Sequence, residues 1–208
     1  MQNINKDLLI FKVITLGEAG TGKTSIITRF LQNEFDMNCI STIGLSFNYK
    51  IIELKNNTKI KLKLIDTGGQ EKFRALAKSY FKSANAVLFV YSKHNQESFD
   101  NIIEWIKLFN ENNGKEDIPK YLVETKNDLE RIVDEEKCKE FAIQNNLKWI
   151  TTSAKGNESI NELFQEIGEL LYESYQLNHQ ENEKPTKVLV NDEKKKANQG
   201  HCCLFKNE

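Results

Sequence analysis

The chain has 208 residues, 39% of them apolar and 28% charged, with a formal net charge of −1, which suits one globular domain plus some tail and argues against a general nucleic-acid binder. The first ten residues hold no basic start followed by a long apolar run, and no later segment approaches the roughly 18 apolar residues of a membrane span, so a cytosolic chain is expected. Cys39, Cys138, Cys202 and Cys203 offer neither a disulfide framework for an oxidising compartment nor a zinc-ligand spacing.

Leu8 to Leu16 reads as a strand, and from its end Gly17, Gly22, Lys23 and Thr24 fill the pattern G-x-x-x-x-G-K-[ST] of a phosphate-binding loop. A strand, a glycine-rich turn and a helix bring several backbone N–H groups to one point, where the helix N-terminus adds partial positive charge. Gly17 and Gly22 are expected to keep side chains out of that concavity, Lys23 to meet the outer phosphates, and the Thr24 hydroxyl to coordinate Mg²⁺. The helix itself is predicted over Lys23 to Gln32, where Ile26, Ile27, Phe30 and Leu31 recur at helical spacing.

Asn33 to Gly44 is polar and aperiodic, a long surface loop. Leu45 to Leu54 alternates, with Phe47, Tyr49 and Ile51 on one face; Asn56-Asn57 turns the chain, and Ile60, Leu62 and Leu64 then alternate with Lys59, Lys61 and Lys63. These two runs predict a hairpin with one solvated face. Asp66-Thr67-Gly68-Gly69-Gln70 breaks the pattern before a helix to about Phe81, and Ala86 to Tyr91 is a continuous apolar run, as a strand covered on both sides should be. Ser98 to Asn112 reads as a helix ended by Asn113-Gly114. Ile118 to Glu124 reads as a strand opening with Pro119, Asp134 to Asn145 as a helix, Leu147 to Thr152 as a strand, and Asn157 to about Tyr175 as a final helix. From Gln176 onward the chain is polar and mixed in charge, so residues 1–175 are predicted as the domain and residues 176–208 as a disordered tether.

Six strands alternating with five helices give an α/β fold: a mostly parallel sheet with one antiparallel edge strand and helices on both faces. Ligands of such sheets sit beyond the carboxyl ends of the strands, which selects the loops after Leu16, Ile65, Glu124 and Thr152.

Those loops carry the chemistry through which the chain resembles the Ras superfamily of small GTPases, most closely the Rab family. GEAGTGKT is similar to the family's phosphate loop, Thr42-Ile43-Gly44 to its first switch, DTGGQE from Asp66 to Glu71 to its second, and TKND from Thr125 to Asp128 and TSAK from Thr152 to Lys155 to its guanine-reading loops. IGLSF from Ile43 to Phe47, KFRALAKSYF from Lys72 to Phe81 and the terminal cysteine pair carry the Rab likeness, although Ser46 replaces the usual acidic residue. The implied fold is the small G domain of P-loop NTPases, and the implied ligands are GTP and GDP with Mg²⁺.

The resemblance implies nucleotide contacts from Gly17, Ala19, Gly20, Thr21, Gly22, Lys23, Thr24, Ser25, Phe35, Thr42, Gly69, Thr125, Lys126, Asp128, Ser153, Ala154 and Lys155. Thr24 and Thr42 would ligate the metal, with Asp66 acting through a water. Asp128 would accept from guanine N1–H and its exocyclic amine, Lys126 would cover the base plane, Phe35 would stack on its edge, and the Ala154 N–H would hold the guanine oxygen. Gln70 would orient the attacking water and Lys23 would stabilise the transferring phosphoryl group. Ala19 is expected to crowd Gln70, giving slow unaided turnover and dependence on an activating protein. Thr125 stands where Rabs usually carry Asn, implying weaker bracing of the phosphate loop and faster nucleotide release.

Loss of the γ-phosphate would release Thr42 and Gly69, and that change is the signal read by partners. The implied partners are an exchange factor, an activating protein, a dissociation-inhibiting escort and effectors, the last docking near Phe47, Ile65, Phe73 and Tyr80. Cys202 and Cys203 would carry two lipid chains, which bind membranes stably where one binds marginally, with Lys194 to Lys196 adding a pull toward anionic lipid. The residues LFKNE after the pair depart from usual Rab termini and form no C-a-a-X box. The implied role is a switch cycling onto the cytosolic face of endomembranes in vesicle transport. A GTP-binding scaffold that scarcely hydrolyses is the competing reading, suggested by Ala19, Gly68 and Thr125, and a P-loop kinase lacks an arginine-rich lid.

Overall fold

A computed structural model describes residues 8–37, 42–69, 74–113 and 117–182. The chain runs β1 (Ile10–Leu16), α1 (Lys23–Gln32), β2 (Leu45–Glu53), β3 (Lys59–Thr67), α2 (Arg74–Phe81), β4 (Ala86–Ser92), α3 (Gln96–Asp100), α4 (Ile102–Asn113), β5 (Lys120–Thr125), α5 (Glu135–Gln144), β6 (Lys148–Thr151) and α6 (Ile160–Asn182). The six strands lie in the order β2-β3-β1-β4-β5-β6. β2 pairs antiparallel with β3 at one edge, and every other pairing is parallel.

Alternation along each strand fills two cores, one on each face of the sheet. Val13, Leu88 and Val123 meet Ile26, Phe30, Phe164 and Ile167 of α1 and α6 on one side. Ile14, Phe89 and Leu122 meet Phe81, Trp105, Phe109 and Ala142 on the other. All seven residues of β4 are buried, as its unbroken apolar run requires.

The largest departures from the sequence reading are in two helices. The helix expected over Ser98 to Asn112 is divided at Asn101 into α3 and α4, and α3 starts where the Asn95 side chain accepts from the Ser98 N–H. α6 starts at Ile160 rather than Asn157, because Asn157 and Ser159 hold left-handed conformations with φ of 57° and 55°. It then continues to Asn182, well past Tyr175. Contacts one turn apart carry it onward: Gln176 Nε2 donates to the Tyr172 hydroxyl (3.1 Å), and the Tyr175 and His179 rings lie 4.2 Å apart. The predicted tether start at Gln176 therefore falls inside a helix, while Cys202 and Cys203 lie outside the described residues.

The turn end of the β2–β3 hairpin is fastened to α6. Gln165 donates to the Glu53 carbonyl (2.9 Å), the Lys55 N–H donates to Glu169 (2.7 Å), and Ile52, Leu54 and Ile60 close over Gly168. A Cβ at Gly168 would stand 2.5 Å from Ile52 Cδ1 and 3.2 Å from Ile60 Cδ1. Ile52 is a flexible side chain that a single methyl can displace, whereas a branched side chain would force the hairpin off the helix. Gly168→Leu is expected to cost about 2 kcal/mol by overpacking and to lower Tm by about 4 to 8 °C in thermal unfolding. An unchanged Tm would show that the hairpin is not seated on α6.

Candidate functional site

The loops at the carboxyl ends of β1, β3, β5 and β6 converge on a cavity of about 360 Å³. Ala19, Gly20, Gly22, Lys23, Thr24 and Ser25 line it from the β1–α1 side, Phe35 and Thr42 from the loop between α1 and β2, and Gly69 from beyond β3. Thr125, Lys126, Asp128, Ala154 and Lys155 close the opposite end. Of the remaining site residues expected from the sequence, Gly17, Thr21, Asp66 and Ser153 stand behind the lining. Gln70 lies outside the described residues.

Lys23 is buried to 4% exposure at the first turn of α1, and its ammonium donates to the Gly17 carbonyl (2.9 Å) and the Glu18 carbonyl (2.7 Å). The β1–α1 loop is thereby wrapped around the cation. Burial pushes the Lys23 pKa down to about 8, while the nearby Asp66 and Glu18 carboxylates pull it upward. An anion in the cavity opposes that burial cost, so the site is built to receive negative charge.

The reason for Gly17 differs from the expected one. Its φ is +147°, and a Cβ there would lie 2.1 Å from the Val90 carbonyl oxygen of β4, so the absent side chain makes room for a neighbouring strand rather than for a phosphate. Gly22 caps α1 with a φ of +93°, and a Cβ there would rest at ordinary distance from the Thr125 side chain.

Beside Lys23, oxygen atoms gather. Thr24 Oγ1 donates to Asp66 Oδ2 (2.6 Å) and lies 2.6 Å from Thr42 Oγ1, which is itself 3.3 Å from Asp66 Oδ2. Burial pushes the Asp66 carboxyl up, against hydrogen bonds from Thr24 and Thr42 and the charge of Lys23. Two hydroxyls and a carboxylate are a hard-oxygen donor set, and its chemistry fits Mg²⁺ rather than a softer metal.

At the far end, Lys126 adopts a left-handed backbone with φ of 60°, and burial lowers its pKa against the pull of Asp128. Asp128 is exposed at the cavity mouth, and its Oδ1 accepts from the Ser153 hydroxyl (2.6 Å), which in turn accepts from the Gly156 N–H (2.8 Å). Ser153 therefore orients the carboxylate. Thr125 Oγ1 lies 2.5 Å from the Thr21 carbonyl and 2.9 Å from the Tyr91 carbonyl. A hydroxyl has one proton for these two acceptors, whereas an amide would bring two. Thr125→Asn is expected to slow nucleotide release by about threefold, on the scale of one added hydrogen bond, read as the dissociation rate of a fluorescent GDP. An equal rate would mean that the single hydroxyl already braces the loop fully.

Sequence reasoning missed several parts of the site. Met37 and Leu129 also line the cavity, and only the position of Leu129 next to Asp128 hinted at this. Arg29 donates to the Ala154 carbonyl (2.7 Å) and the Asn33 carbonyl (2.7 Å), tying the end of α1 to the loop after β6. Trp105 Nε1 donates to Glu18 Oε1 (2.9 Å), fixing the phosphate loop from α4. No sequence signal marks either contact.

The Gly68 N–H donates to the Gly44 carbonyl (2.8 Å), so the segments before and after the hairpin are joined directly. On the hairpin's open face, Phe47, Tyr49 and Ile51 are exposed, with the Lys63 ammonium 4.7 Å from the Phe47 ring centroid and Tyr80 packed on the same ring. Ile65, expected on the partner-reading surface, is fully buried beneath it because it belongs to the core covered by α2 and α4, and Phe73 lies outside the described residues.

The Ras family profile matches residues 12–173. The chain is 34% identical to Rab-10 of Caenorhabditis elegans across 94% of this chain and 96% of that protein, and 31% identical to SEC4 of Saccharomyces cerevisiae across 93% and 91%. It is 37% identical to human Rab-8B across 74% of this chain and 75% of the relative. The chain is a Rab-family small GTPase. Rab proteins are GTP-binding switches of vesicle-mediated transport that use Mg²⁺ with the nucleotide and work with regulators and effectors at endomembranes. In this Rab, no described helix is long and apolar enough to cross a membrane.

Proposed function

We propose that this Rab binds GTP with Mg²⁺ in the cavity described above, hydrolyses it to GDP and phosphate, and signals through the segments around Thr42 and Gly69. The observation that carries this is the polarity of one cavity: Lys23 and the Thr24, Thr42 and Asp66 oxygens at one end, Lys126 and Asp128 at the other. A guanine nucleotide has the matching order of charge and hydrogen-bond donors.

In this reading Asp128 accepts from guanine N1–H and the exocyclic amine, Lys126 covers the ring with its stem, and the Ala154 N–H meets the guanine oxygen. An adenine ring would leave the carboxylate unpaired. Phe35 packs against the base edge, and the backbone N–H groups from Ala19 to Ser25 surround the phosphates. Lys23 already spends two protons on loop carbonyls, and the third is available to a phosphate oxygen. Thr24 and Thr42 would hold Mg²⁺, with Asp66 behind them; the bound metal supplies charge neutralisation on the phosphoryl oxygens. Gln70 orients the attacking water, and Thr42 and the Gly69 N–H hold the γ-phosphate end until it leaves. Their release loosens both segments.

The same reading makes residues 1–175 the G domain and residues 176–208, after the part that continues α6 to Asn182, a tether whose Cys202 and Cys203 carry lipid. An exchange factor, an activating protein, an escort and effectors act through the two segments at the hairpin's ends. Single-turnover hydrolysis on the GTP-loaded protein tests the core of it. Gln70→Leu is expected to lower the rate by at least about tenfold, as loss of a water-positioning group does. A rate untouched by that substitution would instead favour a GTP-binding scaffold.

A further inference from the structure

A buried carboxylate that the proposed reaction does not use sits one residue before the base-reading loop. Glu124, the fifth residue of β5, has no exposed surface. Its two oxygens are gripped in parallel by Arg131, with Nη2 to Oε1 at 2.5 Å and Nη1 to Oε2 at 2.9 Å. The Tyr91 hydroxyl donates to the same Oε2 (2.7 Å), and Trp149 Nε1 donates to that hydroxyl (3.1 Å). Every polar atom of the carboxylate therefore has a partner, as a charge in an apolar setting requires.

The placement of the two partners is informative. Glu124 is the second-to-last residue of β5 and Arg131 lies four residues before α5, so the pair closes the neck of the short segment between them, which carries Lys126 and, at its apex, Asp128. Lys93 holds the same loop from the side: its N–H donates to Thr125 O (3.2 Å), its ammonium to Asn127 O (2.9 Å), and its carbonyl accepts from the N–H groups of Ile132 and Val133 (2.9 and 3.0 Å). Buried ion pairs add little net stability compared with apolar residues of the same volume, whereas the two parallel hydrogen bonds of an Arg–carboxylate pair add geometric specificity. A bidentate pair at the neck fixes where the apex points.

We propose that Glu124 and Arg131 are positioning residues for guanine selection, setting the direction of the Asp128 carboxylate by closing the neck of its loop. This rests on the guanine-binding reading above. GDP and IDP differ only in the exocyclic amine that Asp128 would accept from, so phosphate and metal contributions cancel in the ratio of their dissociation constants. A general loss of stability weakens both nucleotides alike and leaves the ratio in place.

The experiment measures GDP, IDP and ADP binding to the full chain with Mg²⁺, for the native protein, Arg131→Lys and Glu124→Gln, with Tm of each GDP-loaded form recorded alongside. Arg131 is partly exposed and Lys keeps its charge, so this variant retains the fold while losing the two-pronged geometry. Both variants are expected to narrow the GDP-to-IDP ratio by about fivefold, and the double variant by no more than the stronger single one, as coupled residues do. A lowered Tm with the native ratio intact would reduce the pair to a structural brace and overturn the proposal. Native protein that binds ADP as well as GDP would instead sink the guanine reading itself.

Discussion

Asp128→Asn is expected to weaken GDP binding by about 10⁴-fold, because in the proposed reading guanine would then meet a donor where it now meets an acceptor. Guanine presents two donors on adjacent atoms, and a carboxylate meets both. An Asn side chain presents one acceptor and one donor pair, so the exocyclic amine faces another N–H in place of an acceptor. Xanthine carries a carbonyl in place of that amine and fits the altered pattern. The Ser153 hydroxyl donates to Asp128 Oδ1 and can donate to an amide oxygen equally well, so the side chain keeps its orientation. Competition between GDP and XDP on the purified variant is expected to reverse in favour of XDP. Retained GDP affinity with no gain for XDP would remove Asp128 from the base contact.

Gly17→Ala is expected to disturb the fold severely. The added Cβ would lie 2.1 Å from the Val90 carbonyl oxygen and 3.1 Å from its carbon, and both atoms belong to the backbone of the central strand β4. Nothing flexible can yield, so β1 and β4 would have to part. The expected loss is about 3 to 5 kcal/mol, in the range of severe single substitutions, or a Tm lower by about 6 to 20 °C. Gly20→Ala makes the comparison sharp. Its φ is +74°, yet a Cβ there meets nothing within 4 Å, so only the left-handed backbone cost of about 1 to 2 kcal/mol applies. Equal Tm losses in the two variants would show that the close approach to Val90 is not what demands glycine at position 17.

Where side-chain pattern and local geometry coincide, the sequence sufficed. α1 occupies Lys23–Gln32 as predicted, since its apolar stripe begins and ends within the same residues that glycine and Asn33 delimit. The four loops singled out by strand-end position supply most of the lining of one cavity, because parallel sheets leave their carboxyl ends facing one side. The end of α6 was not legible: past Tyr175 the helix no longer covers the core, and without an apolar stripe a polar helix reads like a tether. The break at Asn101 was hidden because the inward residues of α3 and α4 fall on one continuous stripe.

The polar struts of the site were illegible for another reason. Arg29 and Ala154 are 125 positions apart, Trp105 and Glu18 are 87 apart, and Tyr91 reaches Glu124 across 33. Nothing in local spacing marks such pairs. Glu124 in particular directly follows an apolar run in a buried strand, where a charge is unexpected until its partner is placed. The role of Gly17 shows the same limit from the other side. Glycine there was expected to keep a side chain away from a phosphate, whereas the atom it makes room for is the carbonyl oxygen of Val90 on another strand.

Gly44 and Gly68 are bonded to each other across the base of the β2–β3 hairpin, and in the proposed reading a partner seated on the open face of Phe47, Tyr49 and Ile51 bears on the same two strands that lead to Thr42 and Gly69. Thermodynamic reciprocity then applies: a protein that clasps this face more tightly in one nucleotide form must, by the same factor, raise the affinity for that nucleotide relative to the other. In that reading the ribbon links whatever occupies its outer face to the nucleotide beyond its ends.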